Sequence, residues 1–373
     1  MRPMAIDISK RNFAKALAMG TLTPSLLAAC AAKGSSAKHV SHLDSEDTPQ
    51  VLIGGAIRHQ GQFEAVVYSQ GGQSQRHIPL PARGHGIAIA PNQPHAVMFA
   101  RRPGNYAMVF DYLSGEVDTL IPAAPERHFY GHGVYSNDGR WLYATEGERS
   151  TSQGIIGVYD VELGYKKVDE FSGFGIGPHE IITMSDGRLV LGVGGVHTQG
   201  RTPMNLETMT PSLSYLSESG ELLDQVTLSD HHKSIRHLAH DSEQTVLCGQ
   251  QYRGEPDDYV PLVAMHRSGE PLIELGGEPE QWARFNHYIA SIAATRTHIL
   301  ATSPRGNCYG IWDKASRELL EINVLPDASG VVVRNGEFHV SSGAGKIVKI
   351  KADLTKHAFV SGIQWDNHWS AIT

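Results

Sequence analysis

From residue 51 onward the apolar positions come in short runs of β-type residues broken by Gly, Pro, Asn and Asp, and hardly any stretch keeps a helical period for long. Such a chain reads as all-β. One phrase recurs, an apolar strand followed by a polar turn and a second strand. It stands as Val109-Phe110-Asp111-Tyr112-Leu113-Ser114-Gly115-Glu116, Val158-Tyr159-Asp160-Val161-Glu162-Leu163-Gly164, Tyr215-Leu216-Ser217-Glu218-Ser219-Gly220-Glu221, Met265-His266-Arg267-Ser268-Gly269-Glu270 and Ile311-Trp312-Asp313-Lys314-Ala315-Ser316-Arg317-Glu318. Turns such as Ser136-Asn137-Asp138-Gly139-Arg140 and Ser185-Asp186-Gly187-Arg188 join the first two strands of each four-stranded unit. Repetition at this period is the mark of propeller blades. Units open near residues 84, 131, 178, 236, 286 and 328, and residues 51–80 form a seventh that lacks its innermost strand. The C-terminal Asn367-His368-Trp369-Ser370-Ala371-Ile372 echoes Asn286-His287-Tyr288-Ile289-Ala290-Ser291-Ile292, so it is expected to supply that strand and hide the free sheet edges. The reading is one seven-bladed β-propeller over residues 51–373, closed by the C-terminal strand.

Residues 1–30 read as an export signal rather than as fold. Positive charge precedes the small and apolar stretch Ala16 to Ala29, and Leu27-Ala28-Ala29-Cys30 has the form of a bacterial lipobox, whose Cys is acylated. Ser9-Lys10-Arg11-Asn12-Phe13-Ala14-Lys15 resembles a twin-arginine motif with Lys in the first Arg position. Residues 31–50, rich in Ala, Ser, Lys and Asp, read as a solvated tether. The expectation is a monomer outside the cytoplasm, held to a membrane by Cys30. With Cys30 lipidated, Cys248 and Cys308 remain, and their spacing leaves both a disulfide and two buried thiols open.

Composition narrows the partners. The 373 residues carry 32 basic and 39 acidic side chains, a formal charge of −7 that offers no basic footprint, so nucleic acid is not an expected partner. No nucleophile elbow, zinc-protease pair or dinucleotide loop stands in the right local context.

Aligning the unit openings exposes the chemistry. They read Gly84-His85-Gly86, Gly131-His132-Gly133, Gly177-Pro178-His179-Glu180, Ile235-Arg236-His237-Leu238, Asn286-His287-Tyr288, Ala328-Ser329-Gly330 and Asn367-His368-Trp369. With 20 His in 373 residues, seven positions should hold about 0.4 His, whereas these hold six. The start of each innermost strand lies at one mouth of a propeller's channel, so His85, His132, His179, His237, His287 and His368 are expected to converge there as ligands for a transition metal. All-imidazole ligation suits copper, zinc, iron or nickel, is compatible with a haem face, and disfavours calcium and magnesium. Arg83, Glu180, Arg236 and Tyr288 flank the ligands, where they would orient them or hold an anion. The bland alternative is that each His merely bonds a neighbouring blade. The insertion Thr198 to Pro211 is either a lid or partner surface beside the same mouth, or a tolerated loop.

The ring resembles the histidine-ringed propeller of nitrous-oxide reductase, which holds a copper cluster, but this chain lacks that enzyme's cupredoxin domain and its activity is not carried over. Over residues 50–373 the chain resembles the bacterial family called domain of unknown function 1513. The resemblance rests on Arg83-Gly84-His85-Gly86, Gly131-His132-Gly133, Gly177-Pro178-His179-Glu180, Ser234-Ile235-Arg236-His237-Leu238 and Trp365-Asp366-Asn367-His368. It implies a periplasmic propeller encoded beside imelysin-type and di-haem proteins of iron acquisition, and no established reaction. The functional expectation is a lipid-anchored periplasmic protein that binds iron or copper and hands it to iron-uptake or di-haem partners. A redox or hydrolytic metalloenzyme on the same scaffold, and a metal-free interaction scaffold, are the alternatives.

Overall fold

The computed structural model describes residues 50–372 apart from 59–60, 71–74, 201 and 242–243. The export signal, Cys30 and the tether up to residue 49 lie outside the described residues. Seven four-stranded antiparallel sheets succeed one another as blades. Blade 1 combines residues 50–80 with the strand Gln364–Ala371, and blades 2 to 7 span residues 84–122, 127–171, 178–226, 233–274, 291–324 and 328–360. The innermost strand of blade 1 is the C-terminal one, paired antiparallel with Gln50–Ile57. The ring is therefore closed as the sequence pattern predicts. Among the described residues no helix is long and apolar enough to cross a membrane.

Burial follows from strand position. Middle strands are covered on both faces, and so Gly154–Asp160 and Val246–Tyr252 are buried at every residue. Outermost strands such as Val117–Pro122 and Leu222–Val226 are mostly exposed and mix polar with apolar residues. The apolar cores lie between neighbouring blades, one joining Phe99 and Val109 to Phe129 and Leu142, another joining Leu247 and Val263 to Trp312. Closure has its own core, in which Trp365 and Trp369 meet edge to face at 4.9 Å and pack with Leu52, Val66 and Ile347.

Two details of the sequence reading change. Blade 6 opens at Ser291, not near residue 286, because a short helix Pro279–Ala283 and a left-handed turn at Asn286 and His287, with φ of 47° and 56°, precede the strand. Cys248 and Cys308 are both free and buried, in different blades, and burial raises their thiols to about 12 and about 11.

Candidate metal centre

Each innermost strand that bears a ring histidine departs from regular pairing at or beside that residue. The register shifts between Gly84 and Ile87, Phe129 and Gly133, Pro178 and Ile181, and Ile235 and His237, and the pairing of blade 1 skips from Trp365 to Trp369. A bulge of this kind re-aims a side chain that regular pleating would send into an inter-blade face. The bulges turn His85, His132, His179, His237 and His368 toward the axis. Freed carbonyls find partners across blades: Thr145 Oγ1 donates to the carbonyls of both His132 and His179 at 3.0 Å.

The glycines beside these histidines are spaces that the imidazoles fill. A Cβ on Gly86 would stand 2.6 Å from His132 Nδ1, and one on Gly131, which adopts φ +106°, would stand 2.8 Å from His85 Cδ2. The two Gly-His-Gly openings thus let His85 and His132 each lie against the backbone of the other's blade.

The five rings form a closed circuit. Successive centroids are 4.8 Å apart from His85 to His132, from His132 to His179 and from His179 to His237, then 4.9 Å to His368 and 4.4 Å back to His85. The step from His237 to His368 passes over blades 6 and 7, neither of which contributes an imidazole. Blade 7 keeps the bulge but carries Ser329 and Gly330 in it. His287, expected as a sixth member, is elsewhere: its left-handed backbone stacks the ring near Tyr252 and Tyr259, at 5.4 and 5.5 Å, and Nε2 lies 2.9 Å from the Pro256 carbonyl.

His85, His132, His237 and His368 are at most 6% exposed. Buried nitrogens without a hydrogen-bond partner occur on all five: Nδ1 of His85 and His179, Nε2 of His132 and His368, and both nitrogens of His237. Burial holds every one of these imidazoles well below its ordinary value, His237 at about 3, and mutual repulsion among neighbouring rings adds to it for four of them. They are neutral at physiological pH and keep a lone pair. Donor atoms of His85, His132 and His179, and those of His132, His237 and His368, lie within 4.8 Å of one another. Four imidazoles at about 2.1 Å from one ion would stand about 3.4 Å apart, a contraction within reach of ring tilting.

Glu180 lies between two members of the circuit. Its carboxylate oxygens stand 3.6 Å from His132 Nδ1 and 3.4 Å from His237 Nδ1, and Oε2 accepts the Leu238 N–H at 2.9 Å. Burial raises this carboxyl, and His132 opposes the rise. A carboxylate facing Nδ1 favours the tautomer that leaves Nε2 as donor, the usual arrangement behind a metal-ligating histidine.

Above the circuit is a cavity of about 460 Å³ whose lining includes His85, His179, Arg83, Arg236 and Tyr288. Arg83 grips Asp366 through two contacts, at 2.5 and 3.0 Å, and the Tyr288 hydroxyl accepts a hydrogen bond from Asn367 Nδ2 at 3.2 Å. Of the four flanking residues, Arg83, Arg236 and Tyr288 therefore gather at this mouth, while Glu180 stands between His132 and His237. Of the described residues of the insertion Thr198 to Pro211, none is among those lining the cavity.

Sequence reading missed Arg101, Arg102, Arg253 and Arg305, which line the same cavity. They follow the second strands His95–Ala100, Val246–Tyr252 and His298–Ser303, whose ends share a face with the innermost-strand starts. Aligning second-strand ends would have found them.

The family described as protein of unknown function (DUF1513) matches residues 78–372. The chain belongs to this family. Its match takes in every ring histidine, the flanking Arg83 and Glu180, and the closing strand. No curated protein matches. Among solved structures, hydrazine synthase of Kuenenia stuttgartiensis is 12% identical with a TM-score of 0.61, over 85% of this chain and 100% of that one. A protein of unknown function from Bacteroides caccae is 10% identical with a TM-score of 0.49, over 87% and 99% of the two chains. At such identities the first likeness reports the propeller fold alone.

Proposed function

We propose that this protein captures one transition-metal ion, iron or copper, in the five-histidine circuit, as an exported, lipid-anchored carrier that passes the ion to uptake partners. The single observation behind it is the set of buried imidazole nitrogens, drawn from five blades, that face one another without partners. Leaving a buried polar nitrogen unsatisfied costs about 1–3 kcal/mol, and a metal ion satisfies several at once. Stoichiometry follows from His132. It belongs to both donor groups, while its Nδ1 faces Glu180, so one Nε2 serves both and the circuit holds one ion rather than two.

Elemental analysis and titration of purified protein test the reading. One equivalent per chain is expected, lost in a His132→Ala variant; less than about a tenth of an equivalent with no uptake on titration overturns it. A second reading, a redox or hydrolytic metalloenzyme, is favoured by the cavity, which gives a small molecule access to His85 and His179. Turnover of a substrate by the loaded protein, abolished in His179→Ala, would select it over simple carriage.

A further inference from the structure

Six arginines, Arg83, Arg101, Arg102, Arg236, Arg253 and Arg305, line the cavity above the histidine circuit, with Asp327 the acidic residue among its lining. Arg83 already engages Asp366 beneath it. Charge of one sign is thus concentrated over a neutral floor, in a chain whose formal charge is −7.

The decisive member is Arg236. It is 3% exposed, yet its Nε and Nη2 are buried with no hydrogen-bond partner. Burying a guanidinium without a counter-charge is among the costliest arrangements a fold can keep. Arg253 repeats the pattern on the next loop: Nη2 donates to Gln251 Oε1 at 2.9 Å, while Nε is buried without a partner. Burial, then repulsion from Arg102 and Arg305, lowers Arg253 to about 10; the same burial, with repulsion from Arg102 and Arg253, lowers Arg236. Arg305, exposed at the rim, lies over the Tyr288 ring at 4.6 Å.

We infer that this vestibule binds a small, multiply ionised oxyanion, a polycarboxylate or a polyphosphate, whose charged ends meet Arg236, Arg253 and Arg305. Two or more ionised groups are needed because the unsatisfied guanidinium donors come from separate places, Arg236 on the innermost strand Lys233–His240 and Arg253 on the loop after Val246–Tyr252, and guanidinium forks match carboxylate and phosphate oxygens equally. The volume lies within the roughly 300–1,000 Å³ of small-molecule sites. His85 and His179 belong to both cavity and circuit, so the anion's free oxygens stand beside the metal-binding nitrogens. The metal then arrives as, or is completed by, an anionic chelate; this last step alone rests on the proposed metal binding.

Calorimetry on chelator-treated, metal-free protein tests the vestibule separately. Citrate, pyrophosphate and acetate are titrated at low ionic strength and again at 0.15 M NaCl. Citrate or pyrophosphate should bind once per chain, more weakly at the higher salt, with acetate at least tenfold weaker than the better of the two; whichever of the two binds tighter names the source. Arg305→Gln, a rim change that leaves the sheets intact, should weaken binding about tenfold or more, and Arg236→Met with Arg253→Met should abolish it, with circular dichroism reporting the fold. Absence of binding by both polyanions at millimolar concentration, or binding indifferent to Arg305→Gln, overturns the inference. Metal uptake measured on the same samples keeps the two readings apart, since anion binding without metal uptake sinks the circuit and metal uptake without anion binding sinks the vestibule.

Discussion

Acid should unfold the metal-free protein more steeply than its exposed carboxylates alone would suggest. All five circuit imidazoles have folded values held well below 6.5 by burial, and burial also holds His128 and His339 at about 4. The unfolded chain therefore binds protons that the folded chain refuses. A depressed value gives stability that is complete above about pH 6.5 and lost as pH falls. Between pH 6.5 and 5.5 each such imidazole removes about 1 kcal/mol, so the circuit contributes about 5 kcal/mol and the other two about 2 kcal/mol. Glu180, raised by burial, acts in the opposite direction by at most about 1.4 kcal/mol over the same unit. The net loss, about 6 kcal/mol, is large against ordinary stabilities of about 5–15 kcal/mol. Spread over the unit Thr48–Thr373 at about 2.1 cal/mol/K per residue, it lowers the melting midpoint by about 9 °C. Thermal scans of chelator-treated protein at the two pH values measure it, and a His85→Gln, His132→Gln variant should recover about 2 kcal/mol, or about 3 °C, of the difference. A midpoint unchanged across this interval, or the same drop in the variant, refutes the claim that the cluster is dry and neutral.

Further outcomes follow from the same geometry. His287→Ala should leave metal uptake at the wild-type level, because that ring stacks near Tyr252 and Tyr259 away from the circuit; titration alongside His132→Ala checks it. Glu180→Gln keeps the shape but removes the charge facing two Nδ1 atoms, and competition with a chelator should show metal affinity lower by about 10–100-fold. Trp369→Ala empties the closing core beside Trp365 and should cost about 3–5 kcal/mol in denaturant unfolding.

Much of this was legible from residue patterns, for reasons that also explain the failures. Blade number came through because the middle strands are largely apolar and the turns draw on Gly, Asn or Asp, so Val109 to Glu116 and its relatives repeat at a fixed phase. Closure was visible in Asn367-His368-Trp369 because an innermost strand must carry the same bulge chemistry wherever its chain originates. The identical Asn-His pair at residues 286–287 misled, since its left-handed backbone ends a helical turn instead of opening a strand, and periodicity does not report φ. The arginines escaped because they stand on loops after second strands, outside any strand pattern, and converge only when the blades close. The lipobox at Cys30 lies outside the described residues and rests on sequence alone.

The remaining question is why these histidines differ from the others in the same fold. Elsewhere a buried or half-buried imidazole is given a partner: His77 Nδ1 meets Glu64 at 2.9 Å, His95 Nδ1 meets the Tyr165 hydroxyl at 3.1 Å, and His266 Nδ1 meets the Tyr215 hydroxyl at 2.5 Å. His128, His339 and, at Nε2, His266 do retain an unsatisfied buried nitrogen, but each lies outside the circuit. If the circuit histidines only joined blades, their nitrogens would be bonded to the adjacent sheet, as the Thr145 hydroxyl is to two carbonyls. Instead all five side chains keep a buried nitrogen without a partner. Bulges were placed to aim them, glycines to admit them, and Glu180 to set the tautomer of two. Gly86→Ala therefore separates the two accounts. Its Cβ would stand 2.6 Å from His132 Nδ1 and also 2.6 Å from the Gly131 carbonyl, displacing the imidazole shared by both donor groups. If the histidines are blade fasteners, the change costs stability and metal affinity was never there to lose. If they are ligands, a Gly86→Ala protein that remains folded by circular dichroism should bind its ion at least tenfold more weakly, and a folded variant with unaltered affinity would remove His132 from the centre.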